Sequence, residues 1–193
     1  MFLVFISLIG ICQTQSEMNY EKNKSYGNAL EQDVSYLSIG DTFQGGIVFY
    51  LDSNGGGLIA APTDQSTGAS WGCGGTIISG ADGTAIGTGY QNTVDIEAGC
   101  PTAGTAADIC ANLTLGGHSD WFLPSKDELN LMYDNIGQGG VLDLGNVGNF
   151  ANDYYWSSTE NDNNYAWNQY FIYGYQNFNV KYFTINVRAV RAF

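Results

Sequence analysis

The chain has 193 residues, enough for one domain with a proper core and too few for two comfortable ones. Its 26 glycines, 44% hydrophobic residues and only 13% charged residues describe a folded protein with many turns and few long helices. A formal net charge of -13, with six Lys and Arg in all, argues against nucleic acid and anionic membrane as partners, because phosphate binding rests on basic side chains.

The chain opens on an apolar run, Phe2 to Ile11, well short of the roughly 20 residues a membrane-spanning helix needs. It reads as a secretory leader over residues 1–16, although the usual basic n-region is missing and a buried strand is the alternative. Cys12 lies where a lipoprotein leader would be cut, but Ile11 before it is bulky where such signals take a small residue, so lipid anchoring stays open. Residues 17–38 are polar and without period, as in a tether, and the domain is expected over residues 39–193.

Gly45 to Asp52, a glycine turn, and Leu58 to Ala61 predict a β-hairpin. Ser66 to Gly89 is rich in Gly, Ser and Thr and reads as a long loop pinned by Trp71, Ile77, Ile78 and Ile86. Two short helices follow, near Asn92 to Ala98 and Thr105 to Leu113; in the second, Ala106, Ile109, Cys110 and Leu113 share one face, which makes Cys110 a small core residue. Cys73 and Cys100 lie in Gly-rich loops and are the expected disulfide of an exported protein, with the other pairings of Cys73, Cys100 and Cys110 left open. Ser125 and Glu128 form a capping box for a third helix with the stripe Leu129, Met132, Tyr133 and Ile136, stopped by Gly137.

Beyond a Gly/Asn-rich connection, four strands are expected: Tyr154 to Glu160, Ala166 to Tyr173, Phe178 to Phe183, and Val187 to Phe193. The class is therefore α+β. Trp121 and Trp156 read as core anchors, and Arg188 and Arg191 as residues that fix the last strand through ion pairs or hydrogen bonds.

Few residues point to chemistry. His118 is the only histidine, so no His-based zinc site and no second catalytic imidazole can be assembled. Asp127 and Glu128 are adjacent on a helix and diverge by about 100°, which favours a structural role. Glu160, Asp162, Asn163 and Asn164 offer oxygen donors of the kind calcium takes, or else form a solvated loop; the loop is preferred and calcium stays open. No metal, cofactor or catalytic residue is assigned.

Gly117-His-Ser-Asp-Trp-Phe-Leu-Pro-Ser-Lys-Asp-Glu-Leu129, followed by Tyr155-Trp-Ser-Ser-Thr-Glu160 and Val187-Arg-Ala-Val-Arg191, resembles the Lcl-type C-terminal domain family. The resemblance covers roughly Ile39 to Phe193 and implies a C-type-lectin-like fold akin to the formylglycine-generating enzymes. It implies two or three short helices, small twisted antiparallel sheets and long Gly-rich loops. It also implies an extracellular recognition or adhesin role in an exported bacterial protein. The Glu-Pro-Asn, Gln-Pro-Asp and Trp-Asn-Asp triplets of calcium-dependent sugar binding do not occur in this sequence. The redox-active, copper-binding cysteine pair of the formylglycine-generating relatives has no counterpart close in sequence here, so an enzyme of that type is the remote alternative.

Of the 27 residues from Asn161 to Val187, seven are Asn and five are Tyr. This segment is similar to the variable region of diversity-generating retroelements, in which adenine-directed errors diversify Asn codons of a C-type-lectin-like protein. Such errors reach Tyr, Phe, Ile, Val, Ser and Asp but not Trp, Gln, Lys, Glu or Met. Trp167, Gln169, Gln176 and Lys181 would then be fixed scaffold positions.

The residues lead to the same place without the resemblance. Alternation along Ala166 to Ile172 puts Trp167, Gln169 and Phe171 on one face and Asn168, Tyr170 and Ile172 on the other, which looks outward if the first packs inward. The rings and branches that follow are too many for a small strand bundle to bury. Rings interleaved with amides have the chemistry of an antibody paratope. The expected ligand-binding set is Tyr165, Asn168, Tyr170, Ile172, Tyr173, Tyr175, Asn177, Phe178, Asn179, Val180, Tyr182, Phe183 and Ile185. The ligand is a protein or glycan on a cell or particle surface; a conventional adhesin with a fixed carbohydrate or glycosaminoglycan ligand is the alternative.

Overall fold

The computed structural model describes residues 37–193. The expected leader, and all but the last two residues of the expected tether, fall outside the described residues. Among the described residues, two sheets and three helices make an α+β fold. The first sheet is built from β1 (Thr42–Phe43), β2 (Gly46–Leu51), β3 (Gly57–Ala60) and β9 (Val190–Ala192), in that spatial order and antiparallel throughout. β2 and β3 are the hairpin that the glycine turn calls for.

The second sheet has the order β4-β8-β5-β6-β7, with β4 at Ser66–Ser70, β5 at Tyr154–Glu160, β6 at Tyr165–Tyr170, β7 at Tyr175–Val180 and β8 at Thr184–Val187. It is mixed rather than purely antiparallel, because β8 meets β5 in parallel at the single bridge Tyr155–Asn186. Beyond that bridge, indoles tie β5 to the β4 segment: Trp71 Nε1 donates to the Ser157 carbonyl and Trp156 Nε1 to the Ala69 carbonyl, each at 2.9 Å.

Helix α1 spans Gly89–Gly99 and α2 spans Ala106–Ala111. The buried face of α2 is Ala106, Ala107 and Cys110; Ile109, expected on that face, is only half-buried. Helix α3 runs Lys126–Ile136 behind the expected capping box. The Ser125 amide donates to Glu128 Oε2 at 2.7 Å, and the Ser125 hydroxyl accepts from the Glu128 amide at 3.3 Å. Leu129, Met132 and Ile136 carry α3 into a core shared with Phe49, Leu58, Phe122, Phe150, Tyr155, Phe171 and Val190.

The strand expected from Val187 to Phe193 is cut in two. Arg188 and Ala189 take the chain from the second sheet to the first, and Arg188 fixes that corner while 1% exposed. Its guanidinium donates to Asp64 and to the carbonyls of Ala61 and Gly148, and lies 4.3 Å from the centroid of the Phe150 ring. A buried charge with this many acceptors holds the chain where the alternation breaks. Arg191 pairs with Asp120 and Gln44, so both arginines do the structural work expected of them. The stretch read as one long loop also contains β4, and it is pinned by Trp71 and Ile78, while Ile77 and Ile86 are exposed.

Candidate functional site

The β6–β7 hairpin lies at one edge of the second sheet, with β7 as the free edge strand. Its turn is Phe171 to Gly174, shorter than the strand expected to run through Tyr173. Gly174 closes it with φ at +75°, where an added Cβ would also run into the Tyr133 ring of α3. Phe171 is the inward anchor of the turn: it is fully buried and packs against Tyr155, Phe150 and Tyr133.

Cross-strand register sorts the side chains. Tyr154, Tyr170 and Tyr175 form one row over β5, β6 and β7, and Trp156, Asn168 and Asn177 form the next. On that outer side the Tyr154 and Tyr170 rings stack at 4.3 Å, and Tyr173 bridges Tyr170 and Tyr175 at 5.9 Å from each. Tyr173 and Tyr175 are 65% and 69% exposed. Tyr165, Trp167, Gln169, Gln176, Phe178 and Val180 lie on the opposite side of the ribbon, where Trp167, Gln169 and Gln176 reach α3. There Phe178 packs edge-on to Tyr165 and Trp167, and the Lys126 ammonium sits 3.8 Å from the centroid of the Trp167 ring. Tyr182 and Phe183, between β7 and β8, form a third exposed pair.

Tyr165, Tyr173, Tyr175, Asn177, Phe178, Tyr182 and Phe183 are exposed, and Tyr170, Ile172, Asn179, Val180 and Ile185 are half-buried. Asn168, expected to face outward, is instead 2% exposed. In the register it sits between Asn177 and the fully buried Trp156, so the face that is open at the tyrosine row is closed at the row of Asn168. Neither its amide nitrogen nor its oxygen has a partner among the described residues. The expected residues therefore divide between the two sides of the hairpin, the β7–β8 link and, for Ile185, β8 itself. Strand alternation forbids a single face for them all.

The four residues expected to be scaffold hold the hairpin down. Gln169 Nε2 donates to Asn130 Oδ1 at 2.9 Å and to the Gly174 carbonyl at 3.1 Å, and Gln176 Nε2 reaches the Lys126 carbonyl at 2.8 Å. Trp167 is half-buried under Lys126, short of the inward packing expected of it. Lys181 is fully buried, paired with Glu160, and donates to the Thr76 carbonyl at 2.8 Å beneath Trp71.

Glu160 is thereby withdrawn from the loop where a calcium ligand would be needed. Its carboxylate also accepts the Ile78 amide, at 2.9 and 3.1 Å. Asp162 turns back on its own loop, accepting from the amides of Asn164 and Tyr165 at 2.8 and 2.9 Å.

Tyr154, which completes the ring row, and Lys126, which caps Trp167, were not singled out from sequence. The register that brings them to the hairpin is a property of strand pairing and helix placement. At the turn end, burial, with Asp134 and Tyr175 nearby, holds the Tyr133 hydroxyl above its usual pKa. Asp134 is itself raised by burial, against a hydrogen bond from Asn130.

Elsewhere, Cys73 and Cys100 form the expected disulfide. Cys110 is a buried free thiol whose pKa is driven up by burial and then by the charge of Glu97. Trp121 and Trp156 are buried, as expected of core anchors. The profile of the Lcl C-terminal domain matches residues 61–191, more than half of the chain. The chain belongs to the Lcl C-terminal domain family. The matched span runs from the end of β3 through all three helices and the whole second sheet, so the hairpin lies inside the Lcl C-terminal domain. A search of the curated proteins finds no match to this chain.

Proposed function

We propose that this Lcl C-terminal domain is an exported or surface-displayed recognition module of C-type-lectin-like fold, and that its Tyr/Asn-rich hairpin is a diversified ligand-contacting surface of the retroelement-variable type. One observation carries the proposal. The residue types that adenine-directed change of an Asn codon cannot reach, Trp167, Gln169, Gln176 and Lys181, all have ties to α3 or to the core, where the reachable type Phe171 is also buried. The prominent exposed positions, Tyr173, Tyr175, Asn177, Phe178, Tyr182 and Phe183, are all of reachable types.

Binding chemistry follows from that surface. Rigid rings give contact area at low entropic cost, and amides adapt their hydrogen bonds to what they meet. No reaction is part of the proposal: Cys73 and Cys100 are joined to each other, and the Cys110 thiol is buried with its pKa raised, the reverse of an activated nucleophile. The disulfide also suits an oxidising, extracytoplasmic setting.

The coding DNA tests the diversification. A retroelement target has a nearby near-copy of its last segment that differs mainly at adenines, together with a reverse transcriptase gene. Neighbouring DNA with neither would leave a conventional adhesin with a fixed ligand.

A further inference from the structure

We infer that the tyrosine cluster at the turn end of the hairpin receives the ammonium and guanidinium groups of a basic protein partner, an inference resting on the recognition role proposed above. Three observations support it.

From Asn163 to Val187 the only charged residue is Lys181, which is buried and neutralised by Glu160. The outer side of the hairpin therefore presents no cation of its own. Among the described residues Lys181, Arg188 and Arg191 are each held in an ion pair, and Lys126 is turned to Trp167 on the helix side.

Two carboxylates also stand near the turn end of the hairpin, one of them on α3. Asp153 directly precedes Tyr154, and its carbonyl accepts the Phe171 amide, which places it beside the turn. Asp134 lies near Tyr133, whose ring is packed under Gly174. Neither carboxylate takes part in an ion pair among the described residues.

Finally, the rings themselves suit a cation. Tyr154, Tyr170, Tyr173 and Tyr175 form a continuous chain of aromatic contacts, with Tyr173 and Tyr175 more than half exposed. An aromatic face attracts Lys or Arg through its quadrupole, more strongly once the cation is partly desolvated. Carboxylates beside such rings steer positive charge toward them and repel polyanions. A neutral glycan would use the rings and gain nothing from the carboxylates; a glycosaminoglycan would be repelled by them.

The test selects a random dodecapeptide display library on the immobilised full chain, with heparin as the polyanion probe. The expected pool is rich in Lys and Arg. Its binding should fall at least about tenfold in Tyr170→Ala/Tyr173→Ala/Tyr175→Ala. It should fall roughly threefold to tenfold in Asp134→Asn/Asp153→Asn and weaken steadily as NaCl is raised. Unchanged thermal transitions in both variants show that folding is not the cause.

Peptides that need the tyrosines but ignore both the Asp→Asn changes and salt would overturn the cation assignment and leave the recognition surface standing. Binding indifferent to the tyrosines would overturn both. A neutral or acidic pool, no enrichment above an uncoated control, or heparin binding that depends on the tyrosines also overturns the cation assignment.

Discussion

Replacing Lys181 by Met should destabilise the domain by about 3–5 kcal/mol, the usual cost of breaking a buried pair by removing one partner. Lys181 is fully buried and the Glu160 side chain is 5% exposed, so neither charge has water to fall back on. Without the ammonium, the Glu160 carboxylate keeps only the Ile78 backbone amide as a donor among the described residues, and the Thr76 carbonyl loses its Lys181 donor. Met fills most of the space beneath Trp71, so the loss should come from the uncompensated charge rather than from a cavity.

At about 2–4 °C per kcal/mol for a domain of this size, the melting temperature should drop by roughly 6–20 °C. The assay is urea and thermal unfolding of the full chain, with Lys181→Met/Glu160→Gln as the control. Removing the stranded charge should recover at least half of the loss. A single variant that costs less than about 1 kcal/mol, or a double variant no more stable than the single one, would refute the claim that this pair locks the base of the hairpin.

The exposed rings should behave in the opposite way. The Tyr170→Ala/Tyr173→Ala/Tyr175→Ala variant should melt nearly where the parent does, because two of the three rings are mostly exposed already; a drop comparable to that of Lys181→Met would mark them as core. Burial raises the Glu128 pKa, against hydrogen bonds from the Ser125 and Gly87 amides, so the folded state favours its protonated form. Its contribution to stability therefore grows as the pH falls from neutrality into the carboxylate range. Urea melts should show the parent gaining on Glu128→Gln across that window, and a flat or reversed difference would contradict the burial. Reducing Cys73–Cys100 releases a loop with a sequence separation of 27 and should cost about 3.5 kcal/mol, while Cys110 should resist thiol reagents until the chain unfolds.

Several features of the hairpin's surroundings were legible in the chain order of residues. While the Gly-rich setting of Cys73 and Cys100 favours their pairing without closing the other two, the Ser125–Glu128 capping box and the glycine turn between β2 and β3 depend on residues whose local chemistry points to one outcome. So does the surplus of rings after Tyr165, since more apolar area than a small sheet can cover has to face outward somewhere. Glu160 shows the limit. Beside Asp162 and two Asn it looked like part of an oxygen-rich loop, yet its partner is Lys181, which follows β7 and is 21 residues away in the chain.

Sequence by itself determined the α+β class, the capping box of α3, the family motifs and the segment that carries the exposed rings, because propensity, capping and composition act on neighbouring residues. Only the tertiary structure decided which of those rings share a side, that Asn168 is covered, that the chain changes sheets at Arg188, and that Tyr154 joins the cluster. Strand alternation gives the period of a face but not what packs over it, and cross-strand register joins residues far apart in the chain through backbone hydrogen bonds that no local pattern records.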